Sequence, residues 1–204
     1  MRNEQLVPLL CLAYLLVVWV ARSLLHWRWT GSFGWRPLGR GAPTAAWLAA
    51  GLFLVGGSLG CAGVWLQGQD RLEPLDVFEF AGARGLGLAL YALGFAGTTA
   101  CQLGMGRSWR IGVDPNERTS LVTGGAYRLV RHPIYTSVVA TVLGLVLILP
   151  NALMFAALAL LAAGIDVQVR QVEEPHLERL HGEAYRAWAA RSGRYLPWFG
   201  RVRR

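Results

Sequence analysis

The sequence contains no lysine, so all 20 of its basic residues are arginine. Charge is scarce overall: 16% of the 204 residues are charged and 54% are hydrophobic. Soluble domains carry about 25% charged residues, so water is excluded as the solvent around much of this surface. Twelve acids leave a net charge of +8. No basic, aromatic-interleaved soluble module accompanies that charge, so nucleic-acid binding is not expected. Cysteine is also sparse. Cys11, Cys61 and Cys101 each fall inside an apolar run, with no metal-ligand or disulfide-framework spacing, and read as small apolar residues. No His/Cys cluster or H-x-x-x-H pattern points to a metal. No G-x-G-x-x-G follows a strand pattern, which argues against a soluble dinucleotide-type fold. No internal repeat or low-complexity segment is present, and the length suggests one domain.

Long apolar runs are what the sequence has. Leu6 to Leu25, Ala45 to Leu66 and Ala81 to Leu103 each have about the 20 residues that cross a hydrocarbon core. A fourth region is interrupted: Ile134 to Leu149, then Pro150-Asn151 as a turn signal, then Ala152 to Ile165. This pattern predicts two short helices in a hairpin. The expected architecture is an all-α integral membrane protein of about five transmembrane helices. Residues 1–204 form a single membrane domain, with three spans in 1–103 and a distinct half in 104–204. Gly56/Gly60, Ala96/Ala100 and Gly97/Cys101 are small-xxx-small pairs that suit close helix packing in lipid. The polar tail from Arg170 places Leu177, Leu180, Tyr185 and Trp188 at spacings of an amphipathic helix, with Pro175 as an early kink or boundary.

Arginine marks alternate loops. Residues 22–40 hold Arg22, Arg28, Arg36 and Arg40 with no acid, whereas residues 69–84 hold Asp70, Glu73, Asp76 and Glu79 against Arg71 and Arg84. Five arginines, Arg118 among them, lie in 105–133 and eight from Arg170 to Arg204. The positive-inside rule then predicts an inner-membrane protein with its amino terminus outside and its carboxyl terminus in the cytoplasm. Membrane lipids are the surrounding partner.

Two segments are richer in polar and aromatic groups than packing requires. The first runs from Thr119 to Tyr135. Gly124-Gly125 permits a tight turn, and Pro133 suits the first turn of a helix. Arg131 and His132 therefore sit at a helix amino terminus, where free N–H groups attract a carboxylate or phosphate. The second reads Arg170-Gln171-Val172-Glu173-Glu174-Pro175-His176. Arg170 and Glu174 share a face if the helix is regular. An antiparallel hairpin brings both segments to one mouth. His176 and His181 read as solvent or packing residues.

The run Leu-Val-Thr-x-Gly-x-Tyr-Arg-x-x-Arg-His-Pro-x-Tyr, from Leu121 to Tyr135, resembles the cofactor segment of isoprenylcysteine carboxyl methyltransferases, which stand beside the phospholipid methyltransferases. Glu173-Glu174, Leu177, Gly182, Tyr185 and Leu196-Pro197 continue the likeness, which covers about residues 104–199. His181 stands where that family usually has Phe, and Trp188 where it often has Tyr. The resemblance implies S-adenosylmethionine as methyl donor, in a cytoplasm-facing pocket closed by the carboxyl-terminal helix. It implies cofactor contacts from Ser120, Leu121, Val122, Tyr127, Arg131, His132, Pro133, Ile134, Tyr135 and a glutamate. Counting from Arg170 selects Glu174, which the shared face favours; counting back from Gly182 selects Glu173. Arg170, Glu173 and Glu174 are the catalytic candidates, with Arg170 holding a substrate carboxylate.

The expected reaction is methyl transfer to a lipophilic acceptor, such as the carboxylate of a prenylcysteine-like or other isoprenoid or lipid substrate. An amine acceptor would need a base, and either glutamate is a candidate. Membrane sterol reductases, which use a nicotinamide cofactor, have a similar run but usually place Asn before the Tyr, where this chain has Ile134. A non-enzymatic membrane protein is the remaining alternative.

Overall fold

A computed structural model of the chain describes residues 2–202 apart from 37, 40, 79 and 113–119. Arg40, Glu79, Arg118, Thr119, Arg203 and Arg204, which contribute to the patterns above, lie outside the described residues. Helix α1 is Asn3–Thr30, α2 Thr44–Gly68, α3 Ala83–Met105, α4 Pro133–Ile148, α5 Ala152–His181 and α6 Glu183–Ala189. Four of them, α1, α2, α3 and α5, are long and apolar enough to cross a membrane. Their outer faces are apolar: Leu54 and Leu93 are 72% and 70% exposed. Such a surface is stable against hydrocarbon and not against water. No strand occurs among the described residues, only two isolated bridges, Trp35 with Ile111 and Val130 with Gly193.

The hairpin forms where Pro150-Asn151 places it, but its arms are unequal. Helix α4 has 16 residues, about 24 Å at 1.5 Å per residue, shorter than a hydrocarbon core of about 30 Å. Helix α5 is not short: it runs through 30 residues to His181. Asn151 fixes the turn. It is fully buried, its Oδ1 accepts from the Met154 N–H at 2.9 Å as an N-cap, and its Nδ2 donates to Gln67 Oε1 at 2.7 Å.

Helix α5 passes Pro175 by widening. Proline has no N–H and its ring clashes with the carbonyl four residues back. The preceding segment, Gln168–Glu173, is a π-helical turn, which loosens the ladder where the ring must fit. A second π segment, Leu15–Ala21, lies in α1. The expected amphipathic tail helix is broken in two: Gly182, at φ 52°, separates α6 from α5, and helix ends at Ala189.

Small residues bring the helices together, though not always the expected ones. Gly56 of α2 faces α5, where an added Cβ would stand 3.2 Å from Leu160 Cβ, and Gly60 faces Ala157. Helix α3 meets α4 through Gly87 and Gly94: a Cβ on the facing Gly144 would lie 2.6 Å from the backbone nitrogen of Tyr91. Ala96 and Ala100 instead face outward, because they fall on the side of α3 away from α4. Tyr91 donates to the Leu10 carbonyl at 2.8 Å, tying α3 to α1 inside a core of Leu6, Val7, Leu145 and Ile148.

The up-and-down order sorts the loops. At one end Leu75 N–H donates to the Pro150 carbonyl and Arg2 approaches Asp70 at 3.9 Å. At the other, Arg22 donates to the carbonyls of Gln102 and Gly106, and Arg131 N–H to that of Gly193. The described arginine-rich segments therefore gather at the second end.

Candidate active site

The second end holds a cavity of about 450 Å³, within the range of small-molecule sites. Its floor lies among the spans and its roof is the carboxyl-terminal segment. Ser120, Leu121, Val122, Tyr127, Arg131, His132, Pro133, Ile134, Tyr135 and Glu173 all line it. Arg170 and Glu174 do not.

The first segment reaches the cavity through two backbone devices. Gly125, at φ 58°, opens a single 3-10 turn from Gly125 to Arg128. That turn buries Tyr127, whose hydroxyl donates to the Cys101 carbonyl at 3.4 Å and whose own carbonyl accepts from Trp188 Nε1 at 2.9 Å. Burial pushes the Tyr127 phenol up, so it stays a proton donor. Pro133 then starts α4, and His132 before it is extended at φ −124°, ψ 57°, as a residue preceding proline must be. The Thr136 N–H makes the first helical bond, to the His132 carbonyl at 3.3 Å. Pro133 has no N–H, and those of Ile134 and Tyr135 precede that bond at the positive end of the helix.

Arg131 and Glu174 form a buried centre behind the wall. Arg131 Nε donates to Glu174 Oε1 at 3.0 Å. Its Nη1 donates to the carbonyls of Ala189 and Ser192, and its Nη2 to that of Gly200. Arg194 Nη2 adds a 2.8 Å bond to Glu174 Oε2. Every one of these groups is engaged within the chain. They staple the roof, residues 189–200, to the start of α4. His132 bridges this centre to the cavity, with Nδ1 3.5 Å from Glu173 Oε2 and Nε2 3.4 Å from Glu174 Oε1. Burial alone would push the His132 imidazole down; hydrogen bonding and charge from the two glutamates outweigh it and leave it raised.

The adjacent glutamates thus differ. Glu173 opens to the cavity and accepts from the Tyr135 hydroxyl. Glu174 is enclosed by Arg131, Arg194 and His132. Arg170 lies on the outside, its Nε 2.6 Å from Asp166 Oδ1 and its side chain 53% exposed. The π turn is the reason. Its bonds join residues five apart, so Gln168 meets Glu173, at 3.5 Å, and Arg170 does not share the face of Glu174 that a regular helix predicts.

Several lining residues escape the sequence reading. The π segment of α1 carries Val18 and Trp19 into the wall, α2 adds Phe53, and α3 adds Thr98 and Gln102. The last two were visible as polar residues inside an apolar run. His176, expected in solvent or packing, is buried and lines the cavity. Among the described residues no group of three or more His, Cys, Asp or Glu could hold a metal ion.

Comparison with known proteins adds three findings. The family model described as phospholipid methyltransferase matches residues 83–184, half of the chain, from α3 into α6. The solved structure of the eukaryotic intramembrane Ras methyltransferase, isoprenylcysteine carboxyl methyltransferase, is similar with a TM-score of 0.50 and 21% identity. That likeness covers 78% of this chain and 53% of the other, so the chain spans about half the length of the solved protein it matches. At that identity it bears on the fold, an all-helical membrane architecture. No curated protein matches the chain.

Proposed function

This chain belongs to the phospholipid methyltransferase family, and on that premise we propose that it moves the methyl group of S-adenosylmethionine to a lipophilic acceptor at the inner face of the membrane. The observation that carries the proposal is the cavity itself. It joins a helix amino terminus, a carboxylate and aromatic rings at the protein's polar end to an apolar interior among the spans.

The residues suit the methyl donor. The free N–H groups at the start of α4 favour a carboxylate. Glu173 suits an ammonium or ribose hydroxyls, and Tyr127, Trp109 and Trp188 offer aromatic surface to an adenine. S-adenosylmethionine, when bound, supplies a methyl group already activated by a cationic sulfur. The chain's part is then to hold and align, which accounts for several kcal/mol of barrier, roughly 7–11 at the upper end. Glu173 takes the place of cofactor glutamate in this reading, and also of base when the acceptor bears a proton. Arg131 and Glu174 hold the roof. Arg170, turned outward beside Asp166, has no part in the cavity. The lipophilic tail of the acceptor enters from the membrane side, where Phe53, Val138, Leu161 and Ile165 line the wall. The arginine-rich end, with the carboxyl terminus, faces the cytoplasm and the amino terminus faces outside.

The test is transfer of labelled methyl from S-adenosylmethionine into a total lipid extract by the purified protein, with mass identification of the product. Label appearing in a lipid supports the proposal. Absence of both label transfer and S-adenosylmethionine binding by calorimetry overturns it, and heat protection by a nicotinamide cofactor instead would place the chain with the reductases.

A further inference from the structure

The cavity wall on α3 carries a polar group that the proposed function leaves unused. Gln102 is 6% exposed and lines the cavity. Its Oε1 is buried with no hydrogen-bond partner. A buried amide oxygen without a donor is disfavoured in any interior, and more so at membrane depth, where water does not compensate.

Its surroundings are ordered rather than loose. Thr98 lies one turn earlier on the same face and accepts from the Tyr14 hydroxyl at 3.4 Å. Arg22 reaches from α1 to donate to the Gln102 carbonyl at 3.3 Å and that of Gly106 at 2.7 Å. The Arg22 guanidinium also sits 4.4 Å from the ring centre of Trp109, which itself lines the cavity. The backbone that presents Gln102 is therefore clamped from behind, and the side chain is left to face the ligand space. Glu173, His132 and Tyr135 come from α4, α5 and the segment before α4, so the cavity has a second polar wall, on α3, separate from the one assigned to the methyl donor. Met105 and Val18, apolar lining residues, flank it.

We propose that Gln102 is a specificity-determining residue that accepts a hydrogen bond from an N–H or O–H on the polar head of the methyl acceptor. The proposal rests on the methyltransferase reading of the same cavity. The amide is neutral, so it recognises a hydrogen-bonding head without adding a charge at membrane depth, and it places that head against α3 while the tail runs along the spans. A purely hydrocarbon ligand would leave the oxygen unmatched, which is how a site of this kind discriminates.

The test uses the full chain in lipid nanodiscs, labelled S-adenosylmethionine, and total lipid extract as acceptor. Gln102→Leu is expected to raise the apparent KM for acceptor lipid about tenfold, the worth of one good hydrogen bond, with the Kd for S-adenosylmethionine changed less than about twofold. Gln102→Glu keeps the accepting oxygen and is expected to recover most of the loss. A Gln102→Leu protein that binds S-adenosylmethionine and methylates lipid with unchanged KM overturns the assignment. So does an equal loss in both variants together with weakened S-adenosylmethionine binding, which would mark a structural role. A wild-type protein that does not bind S-adenosylmethionine defeats the underlying methyltransferase reading instead, and is recognised by the binding measurement alone.

Discussion

Arg131 donates to Glu174 at 3.0 Å with none of its side chain exposed, and the same guanidinium holds three carbonyls of the carboxyl-terminal loop. One residue thus closes an ion pair and fastens the roof. Arg131→Ala would leave Glu174 short of a partner and three carbonyls without a donor. Removing one member of a buried pair costs about 3–5 kcal/mol. The expected outcome is a marked drop in melting temperature in detergent, with exposure of the 189–200 loop to protease.

The neighbouring glutamates should separate cleanly. Glu173→Gln is expected to keep the melting temperature near that of the wild type and to weaken S-adenosylmethionine binding about tenfold, since it alters a cavity carboxylate. Glu174→Gln is expected to lower the melting temperature, because Arg131 and Arg194 lose their counter-charge. Isothermal titration and thermal unfolding of both variants decide this, and the reverse pattern would restore Glu174 as the cofactor glutamate.

Arg170 and Asp166 form an ion pair with both side chains about half exposed. Exposed pairs contribute up to about 1 kcal/mol. Arg170→Ala is therefore expected to shift stability by no more than that and to leave S-adenosylmethionine affinity within about twofold. A tenfold loss of affinity would mean that Arg170 turns inward when the site is filled.

Much of this was legible in the sequence. The apolar runs, the Pro150-Asn151 turn and the proline start at Pro133 are local signals, and local signals place helices and their ends. The alternating arginine loops gave the end at which the site would sit. The side chains facing the cavity from 120 to 135 could be named because the chain there is nearly extended or just beginning a helix, so few turns separate them. The π turn at 168–173 was not legible. Sequence periodicity assumes 3.6 residues per turn, and one wider turn moves Arg170 out and puts Glu173, not Glu174, in the wall. The break at Gly182 was hidden for a similar reason: Leu177, Leu180, Tyr185 and Trp188 are all placed to pack, but on two helices rather than one. Tyr14, Phe53, Thr98 and Gln102 come together only through tertiary packing, which no spacing in the chain records.

His132 gives the stability a pH dependence of definite sign. Its folded pKa is raised above the ordinary value of about 6.5 by Glu173 and Glu174. A raised pKa means that the folded state binds the proton more tightly than the unfolded chain does. The contribution is fully present below about pH 6.5 and is lost as pH rises through the raised value. Melting temperature is expected to fall over that interval, and His132→Gln to flatten the profile. A wild-type profile that rises instead would show that His132 is neutral in the fold.

The helix contact at Gly144 allows no side chain. A Cβ there would stand 2.6 Å from the Tyr91 nitrogen, and overpacking costs typically about 1–3 kcal/mol. Gly144→Val is expected to lower the melting temperature by parting α3 from α4. The outward-facing Ala96→Val on α3 should be tolerated, and equal effects from the two would refute this packing.

A π turn holds one residue more than the regular turn it replaces, so the length of the chain between 168 and 173 sets an angle. Deleting a single residue there would let the helix relax to even pitch and rotate everything beyond it by about 100°. His176 would leave the wall, Glu174 would swing away from both arginines, and the roof would lose its fastening, although no helix-forming residue had been harmed. That one supernumerary residue works as a rotational shim, and it sets which of two consecutive acids the cavity sees.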